Sequence, residues 1–564
     1  MQADAGAAIL FNSSQVDQVV VDSREIPPPE RAHRRREGDP ICANGESGAP
    51  TASAPAVRVA LHEQPLASAE RWLIFGLFLY FSLQALIRAT GAAALELDES
   101  ELAVVGQWWL IGYNNQPPLY VWLQAVAFRV LGLDLAALSV LKNALLFTTY
   151  LFTFLAARRL LHEPMRAILA TLSLLLIAQL AWEAQRDLSH SVMVTTVAAA
   201  SFYALLRWYA RPSTAGYLLL GVLLGLGLLS KYNYVLFAGA VLLTLLTVRR
   251  GRALLFDPRL LLTLLVASAL VAPHLVWLMG DPGLIAALPH KLDFGQRTWL
   301  VSGLGSTLVA MVDFLAPWWV IMLLVFRLDF LRAIAMPQDS DLGFPLRRYL
   351  GALLLLLAVL LLLGASHFKA RWMLPLVLVA PIYVFGTMAT SALTRVRVRA
   401  YIATALIAAA LVLSVMGWRL HDWPVPAGRQ ALAEHFDTVA EKAREIGFEQ
   451  GLIISERLLD AGNLRLRFPD STGWASRVNG AALTCGGSDL LVVWDTEGRA
   501  ALPQELRELL IEGLGVPPGE IEAALPQALQ RAAAGADSSM KAWPALLVWP
   551  SRLRSDCHWT DDVS

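Results

Sequence analysis

The sequence has 564 residues, of which 56% are hydrophobic and only 16% are charged, and its formal net charge is zero. Because soluble globular proteins average about 25% charged residues, this composition excludes an ordinary soluble protein and places most of the chain in a lipid bilayer. The balanced charge gives no sign of nucleic-acid binding.

The N-terminal segment, residues 1–68, has no apolar periodicity and is rich in Ala, Pro and Arg. Such a segment cannot bury enough apolar surface to fold, which predicts a disordered cytoplasmic tail. The tail also lacks the apolar core of a cleavable signal peptide. The first long apolar run, Trp72–Ile87, is therefore interpreted as a signal anchor that remains in the protein as its first membrane span.

An acidic and aromatic loop, residues 90–135, follows this span. Carboxylates beside a bilayer are costly unless they face water or a partner, whereas Trp and Tyr rings settle readily at the headgroup level. We therefore predict an interfacial loop with short membrane-parallel helices and a carboxylate available for chemistry; an ordinary solvated loop is the alternative. The residues concerned are Glu96, Asp98, Glu99, Glu101, Trp108, Trp109, Tyr113, Gln116, Pro117, Pro118 and Tyr120.

Ten further apolar runs predict a membrane domain, residues 69–419, of about eleven spans. The runs are Leu138–Ala157, Ala167–Trp182, Ser191–Leu206, Tyr217–Leu229, Tyr234–Val248, Leu260–Leu278, Val301–Val325, Leu350–Leu363, Trp372–Phe385 and Ala400–Met416.

Arginine positions orient these spans. If the N-terminus is cytoplasmic, every loop predicted to be inside carries at least two arginines, as the positive-inside rule requires. The acidic loop and the C-terminal region then lie outside, which predicts a multi-pass protein of the bacterial inner membrane whose site faces the periplasm. The arginines predicted inside are Arg158, Arg159, Arg166, Arg207, Arg211, Arg249, Arg250, Arg252, Arg259, Arg327, Arg332, Arg347, Arg348, Arg395, Arg397 and Arg399.

From about His421 the composition becomes that of a soluble protein, and residues 420–564 are predicted to form a periplasmic α/β domain. If that compartment is oxidising, Cys485 and Cys557 have the opportunity to pair, which the sequence leaves open. Helical spacing is found at Ala431–Ile446, Pro503–Leu514 and Ile521–Ala532. Strand-like apolar runs are found at Gly451–Ser455, Asp489–Trp494 and Ala545–Trp549.

Polar residues gather at the predicted outer ends of the spans. A lipid-anchored phosphate leaving group needs cations there, and an acceptor hydroxyl or amine needs a carboxylate to take its proton. The simpler alternatives are an Arg186–Asp187 ion pair and a snorkelling Lys231. His274 and Asp313 are alternatively residues satisfied inside the helix bundle. The gathered residues are Asp98, Glu99, Glu183, Arg186, Asp187, His190, Lys231, Tyr232, His274, His367, Lys369 and Arg371.

Four motifs resemble those of one enzyme family. Over roughly Arg71–Met416 the chain is similar to the GT-C membrane glycosyltransferases of the protein O-mannosyltransferase and aminoarabinose (lipid A) transferase superfamily. The resemblance implies a polytopic α-helical fold with a C-terminal outer domain, and inverting transfer of a sugar from a polyprenyl-phosphate donor. The motifs are Asp98-Glu99, Gln116-Pro117-Pro118-Leu119-Tyr120-x-Trp122-Leu123, Lys231-Tyr232 and Arg371-Trp372-x-Leu374-Pro375.

The resemblance also implies roles for single residues. Asp98 would be the catalytic base, and Glu99 its neighbour in positioning or acceptor binding. Aminoarabinose transferases typically carry a lysine where this chain has Gln116, so that phosphate contact must pass to another cation. Neither a metal nor an organic cofactor is expected. The implied donor-phosphate residues are Lys231, Tyr232, Arg186, His190, Lys369 and Arg371, and those that position the acceptor or the loop are Gln116, Tyr113 and Tyr120.

The sequence thus favours an inverting glycosyltransferase that uses a polyprenyl-phosphate-linked sugar and an extracytoplasmic acceptor, which is lipid A, another glycan, a lipid or a protein. A transporter or flippase for a polyprenyl-linked sugar is the second hypothesis, and it predicts polar sites near the bilayer midplane and an internal repeat. A membrane-anchored binding scaffold is the third. That hypothesis interprets Gly462–Asp470 as a recognition loop. The simpler alternative is a turn between a strand and a helix.

Overall fold

The computed structural model describes residues 65–113, 116–285, 293–294, 299–335, 342–421, 429–475, 483–484, 489–495, 501–535, 544–549 and 558–559. The predicted N-terminal tail, apart from residues 65–68, lies outside this part of the chain. So do Cys485 and Cys557, whose pairing the sequence leaves open.

The first span is followed by two short helices, as predicted for the acidic loop. The second of these begins after the rigid Pro117-Pro118 pair, and a long helix then packs against the first span. These four helices are α1 (Ser68–Ala89), α2 (Leu97–Val105), α3 (Leu119–Leu131) and α4 (Leu135–Leu160).

The next predicted span, Ala167–Trp182, is not one continuous helix, and the sequence interpretation is wrong on this point. Helix α5 (Pro164–Leu172) passes through a 3₁₀ turn and a π turn into the short α6 (Ala184–Arg186), and the two halves are bent by 68°. At the break the Ser173 hydroxyl donates to the carbonyl one turn back and contacts the Tyr401 hydroxyl at 2.7 Å. Side-chain hydrogen bonds of this kind compete with the helix ladder and bend it.

Five helices complete the central part of the bundle. Helix α8 (Thr214–Ser230) packs closely on α11 (Leu260–Met279). Gly221 and Gly225 of α8 permit this approach, because any larger side chain would collide with Thr263 and Leu270. A bend of 116° separates α9 from the basic helix α10. The five helices are α7 (Ser189–Ala210), α8 (Thr214–Ser230), α9 (Tyr234–Thr247), α10 (Arg249–Leu255) and α11 (Leu260–Met279).

Within the described residues, six helices are long and apolar enough to cross a membrane, or up to nine if each bent pair is one span. The predicted span Trp372–Phe385 is a second broken one, bent by 53° close to Pro381. The count of about eleven spans stays a prediction. The later membrane-region helices are Trp299–Phe326, Leu328–Ala335, Leu346–Leu362, Leu374–Val377, Ala380–Thr387 and Arg395–His421.

The C-terminal region contains a four-stranded sheet in the order β2-β1-β4-β5. The central strand β1 is parallel to both of its neighbours, while β5 is antiparallel to β4. The predicted strands β1, β4 and β5 are confirmed, and the short β2 was not predicted. The strands are β1 (Gly451–Ser455), β2 (Thr472–Ala475), β4 (Asp489–Asp495) and β5 (Pro544–Trp549), with β3 (Leu483–Thr484) and β6 (His558–Trp559) pairing separately.

One C-terminal helix replaces the predicted loop or turn at Gly462–Asp470. Residues Leu458–Arg467 form an α-helix, called here the Asn463 helix. Gly and Asn are weak helix formers, but Gly462 lies so close to the backbone of Ser100 in α2 that no larger residue fits. Packing against α2 therefore overrides local preference. The other C-terminal helices are Arg429–Glu445, Gln504–Glu508, which continues as the π turn Leu509–Gly513, and Pro518–Gly535.

Candidate active site

Helix α2 is anchored by a buried ion pair at the end of α1. The Glu99 carboxylate accepts Arg88 Nε at 3.1 Å and Arg88 Nη2 at 2.7 Å, and both side chains are almost fully buried. Glu99 also accepts the Glu96 N–H at 3.0 Å, which completes a capping box. Successive helical residues point about 100° apart, so Asp98 is directed to another side of α2.

Asp98 meets a second carboxyl group, that of Asp187, between α6 and α7. The two carboxyl groups lie within hydrogen-bonding reach, and the Ser189 N–H, at the start of α7, donates to Asp98 Oδ2 at 3.3 Å. Lys142 of α4 and His190 of α7 bring positive charge to Asp98. Residues from distant parts of the chain thus form one charged cluster.

The surroundings separate the two carboxyl pKa values. Burial raises the pKa of Asp187, and the hydrogen bond and charge of Asp98 raise it further, to about 7. Burial by itself also raises the pKa of Asp98, but the hydrogen bond from Asp187, the charges of Lys142 and His190, and the Ser189 N–H outweigh it and hold that pKa below its usual value. At mildly acidic pH Asp98 is therefore ionised while Asp187 keeps the proton that the pair shares, and Asp187 loses this proton as the pH rises through about 7.

Lys142 was not selected from the sequence. It lies in the predicted span Leu138–Ala157, is buried, and its Nζ donates to the Asp187 carbonyl oxygen at 3.4 Å. A lysine inside an apolar run is costly and usually has a partner, so this signal was present in the sequence. Its partners were not visible there, because Asp98 and Asp187 are 44 and 45 positions away.

A small cavity opens beside Asp98. Its volume of about 10 Å³ is roughly the space of one water molecule. Ser189 lines this cavity, and its buried hydroxyl lies beside the Tyr120 hydroxyl. A buried hydroxyl at this position favours a polar group in the cavity. The cavity is lined by residues that include Asp98, Tyr113, Ser189 and His190.

Lys231 reaches the same end of α7 from the turn between α8 and α9. Its Nζ donates to Ser191 Oγ at 2.6 Å. Ser191 lies in the first turn of α7, two residues after Ser189, which contacts Asp98. Asp98 and Lys231 therefore both contact the first turn of α7, where the helix dipole adds partial positive charge.

The Tyr232 hydroxyl lies 3.1 Å from His274 Nε2, and His274 Nδ1 lies 2.8 Å from the Ile111 carbonyl oxygen. Because a carbonyl oxygen only accepts, Nδ1 carries the proton and Nε2 accepts from Tyr232. Burial raises the pKa of Tyr232 to about 12, which keeps this donor protonated. His274 is thus hydrogen-bonded on both sides, as the simpler alternative predicted, and it joins the first loop to the Lys231 turn.

Arg371 is brought towards the same turn by a neighbouring contact. Asn233 Nδ2 donates to the Trp372 carbonyl oxygen at 3.1 Å. Arg371 Nε is buried and has no hydrogen-bond partner in the part of the chain that the structure describes. Lys369 is exposed, and no described contact draws it into this cluster.

Arg186 does not pair with Asp187, so that alternative is wrong. Its Nη1 lies 3.3 Å from both carboxylate oxygens of Glu183, one helical turn earlier. Arg186 Nε is buried and lacks an acceptor among the described residues. Asp187 is instead directed to Asp98, because the backbone turns sharply between α6 and α7 at Leu188, whose φ is +69°.

The two other loop residues selected from the sequence, Tyr113 and Gln116, pair with each other through their backbones. Tyr113 and Gln116 exchange backbone hydrogen bonds of 2.9 and 3.2 Å. The Tyr113 hydroxyl donates to the Trp108 carbonyl oxygen at 2.6 Å and accepts the Leu110 N–H at 3.1 Å. Tyr113 is also one of the residues that line the cavity beside Asp98.

Asp313 belongs to no such cluster. Its side chain is exposed on the helix Trp299–Phe326, so it is not a satisfied bundle residue. Among the residues that the structure describes, no group of three or more His, Cys, Asp or Glu side chains is placed to hold a metal ion. Transfer without a metal stays a prediction.

Comparison with known proteins identifies the relatives of this chain. Residues 115–277 match the family model of dolichyl-phosphate-mannose-protein mannosyltransferases. Two relatives from Rhizobium johnstonii are lipopolysaccharide core galacturonosyltransferases. RgtB is 34% identical over 464 residues, which are 79% of this chain and 91% of RgtB. RgtA is 34% identical over 400 residues, which are 69% of this chain and 79% of RgtA. Among solved structures, ArnT from Cupriavidus metallidurans bound to undecaprenyl phosphate has a TM-score of 0.48 and 13% identity, over 79% of this chain and 95% of that one.

The raised pKa of Asp187 predicts a pH dependence of stability. A carboxyl group whose pKa rises on folding stabilises the folded state fully below its usual pKa of about 3.9. This contribution is lost as the pH rises through about 7. We expect the melting temperature of the purified protein to fall more between acidic and mildly alkaline pH than that of Asp187→Asn, which cannot lose the proton.

Asp257→Asn is the matched control for this measurement. Asp257 has its pKa lowered to about 2 by hydrogen bonds from Arg259, so its removal leaves the decrease near neutral pH in place. Equal pH dependence in the wild type and in Asp187→Asn would contradict the assignment of the shared proton.

Proposed function

Because the chain belongs to the GT-C superfamily of membrane glycosyltransferases, we propose that it moves a sugar from a polyprenyl-phosphate donor to an extracytoplasmic acceptor with inversion. The observation that carries the proposal is that Asp98 and Lys231 both contact the first turn of α7, Asp98 at the Ser189 N–H and Lys231 at the Ser191 hydroxyl. One end of a helix thus offers a carboxylate for the acceptor and a cation for the leaving phosphate.

The proposed reaction is a single displacement. The acceptor oxygen attacks the anomeric carbon, the bond from that carbon to the phosphate oxygen breaks, and the electron pair leaves with the polyprenyl phosphate. Asp98 takes the proton of the acceptor hydroxyl, which becomes acidic as the new bond forms. Asp187 donates a hydrogen bond to Asp98 and so holds the carboxylate in place.

Cations around the Lys231 turn would stabilise the leaving phosphate. Lys231 supplies a point charge, and the unpartnered Nε of Arg371 supplies a directional donor close by. Tyr232 is held by His274 and so belongs to the wall of this subsite. His190 lies beside Asp98, which favours a role at the carboxylate pair over contact with the phosphate.

The donor sugar is proposed to be galacturonic acid and the acceptor a lipopolysaccharide core. The support is the 34% identity to two core galacturonosyltransferases over most of the chain. A uronic acid differs from a neutral hexose by its carboxylate, and Arg186 has a buried Nε available to bind that group.

The proposed setting is the bacterial inner membrane with the site facing the periplasm. Helix α7 has Asp98 at one end, whereas at its other end Arg250 donates to the carbonyls of Tyr209 and Ala210 at 2.8 Å each. Inner loops carry the arginines of membrane proteins, so the Asp98 end is assigned to the outer side.

Asp98→Asn tests the base directly. General base catalysis typically contributes about 10²- to 10⁴-fold, so kcat should fall by this factor. Affinity for undecaprenyl phosphate should persist, because Lys231 and Arg371 are unchanged. The measurement is transfer by the purified protein from a polyprenyl-phosphate sugar to a lipopolysaccharide core acceptor.

Asp134→Asn is the control, because Asp134 is an exposed carboxylate of the same loop that caps α4, and Asn caps a helix equally well. Retained turnover in Asp98→Asn would reject the proposed base.

The same assay after exhaustive chelation tests the proposal that no divalent metal takes part, since strict metal dependence would contradict it.

Lys231→Met tests the phosphate subsite. A charge-assisted hydrogen bond is worth about 1.5–3 kcal/mol, so the affinity for undecaprenyl phosphate should fall roughly tenfold to a hundredfold. Arg371→Met should act in the same direction. Lys369→Met, which removes an exposed cation of the neighbouring segment, should have a smaller effect. Equal losses for Lys231 and Lys369 would contradict the subsite.

Mass spectrometry of envelope glycans tests the identity of the sugar and the acceptor. Cells that lack the protein should produce a lipopolysaccharide core without one uronic acid, and a plasmid copy should restore it. A plasmid copy with Asp98→Asn should not. An unchanged core together with a missing sugar on another envelope molecule would reassign the acceptor and leave the transferase chemistry in place.

A further inference from the structure

The Asn463 helix of the C-terminal region packs directly on α2. Asn463 is fully buried, and its side-chain amide binds both backbone groups of Leu95, a residue 368 positions earlier. Its Oδ1 accepts the Leu95 N–H at 2.8 Å, and its Nδ2 donates to the Leu95 carbonyl oxygen at 3.1 Å. Leu95 lies just before α2 begins, where its backbone groups have no helix partner.

Further contacts hold the rest of α2 to the C-terminal region. Asn463 Nδ2 also lies 3.3 Å from Ser100 Oγ, and Arg465 Nη1 donates to the carbonyl oxygen of Ala103. Beyond the end of α2, the Gln107 side chain exchanges two hydrogen bonds with the Gly473 backbone, at 2.8 and 3.0 Å. The helix that carries Asp98 is therefore held along its whole length.

These contacts constrain the direction of the Asp98 side chain. Leu95 precedes Asp98 by three residues, less than one helical turn, so a shift of its backbone moves the carboxylate. Asp98 accepts the Ser189 N–H at 3.3 Å, which leaves little tolerance for such a shift. Catalytic groups displaced by about 1 Å can lose about a hundredfold in rate.

We propose that Asn463 is a positioning residue for transfer, and that the C-terminal domain acts in catalysis by orienting Asp98 through Leu95. This rests on the proposed function, in which Asp98 is the base. Asn463 touches neither substrate nor the reacting atoms. The amide suits this task because it offers an acceptor to the N–H and a donor to the carbonyl of the same residue.

Asn463→Ala removes the contact with both backbone groups of Leu95. We expect kcat to fall about a hundredfold, while the dissociation constant for undecaprenyl phosphate stays unchanged, because Lys231 and Arg371 belong to the helix bundle. The pH profile of melting should also change, since a displaced Asp98 no longer holds the pKa of Asp187 near 7.

The conservative variant Asn463→Asp supplies a second readout. Burial favours the protonated carboxyl group, which has a donor and an acceptor like the amide, whereas the carboxylate only accepts. The kcat of Asn463→Asp relative to the wild type should therefore recover as the pH is lowered. This ratio decides the matter if Asn463→Ala does not fold, and a ratio that is independent of pH overturns the proposal.

Gln504→Ala is the matched control, because Gln504 is an exposed amide of the same region that donates to Glu508, in its own helix, at 2.7 Å. It should retain the wild-type kcat. A folded Asn463→Ala enzyme with wild-type kcat overturns the proposal. The proposal is also overturned if Asn463→Ala lowers the affinity for undecaprenyl phosphate by the same factor as kcat. If the proposed function itself is wrong, Asp98→Asn keeps its turnover, whereas failure of this inference alone leaves Asp98→Asn inactive and Asn463→Ala active.

Discussion

The buried ion pair between Arg88 and Glu99 is the constraint on which the rest of the site depends. Two charges removed from water are stable only with good geometry and further hydrogen bonds. Both conditions are met, because the contact is bidentate and Arg88 also binds the carbonyls of Ala92 and Ala94. The connection from α1 to α2 is thereby fixed, and with it the rotation of α2. Since Glu99 faces α1, the adjacent Asp98 is turned towards α7. Asp98 and Glu99, which the resemblance selected as a pair, therefore differ in their contacts: Glu99 orients the helix, and Asp98 is the base in the proposed function.

The N-terminus of α7 explains how several charges coexist beside Asp98. A helix N-terminus carries a partial positive charge, and here its N–H and hydroxyl groups serve Asp98 on one side and Lys231 on the other. Two carboxyl groups at one place repel each other unless a proton or a cation intervenes. Below about pH 7 Asp187 retains that proton, and Lys142 adds the cation. The result is an ionised Asp98 carboxylate, flanked by donors, next to a cavity that Ser189 and His190 also line.

The sequence predicted what depends on local pattern and missed what depends on distant partners. Apolar runs located the long helices α1, α4, α7 and α11, and β-branched runs located β1, β4 and β5. The break after α5 was not predicted, because Ser173 bends the chain together with Tyr401, 228 positions later. In the site, Asp98, Asp187 and Lys231 were selected, whereas Lys142 was not. The ion pair between Asp187 and its neighbour Arg186 was an alternative, and the structure shows that it is wrong. The Asn463 helix was interpreted as a loop or turn, since its composition disfavours a helix and its packing partner is remote in sequence.

The position of α2 between two parts of the chain bears on the scaffold hypothesis. A separable scaffold predicts that the membrane region contains the whole reaction centre and that the C-terminal domain only adds binding. Here the Leu95 backbone and the end of α2 take their hydrogen bonds from the C-terminal domain, while Glu99 takes its partner from α1. Removing the domain would strip polar backbone groups of their buried partners, which destabilises the helix itself. Loss of activity on truncation would therefore not distinguish a C-terminal domain that only binds from one that orients the proposed base. Only substitutions that remove one contact of α2 at a time separate an effect on the orientation of Asp98 from an effect on substrate binding.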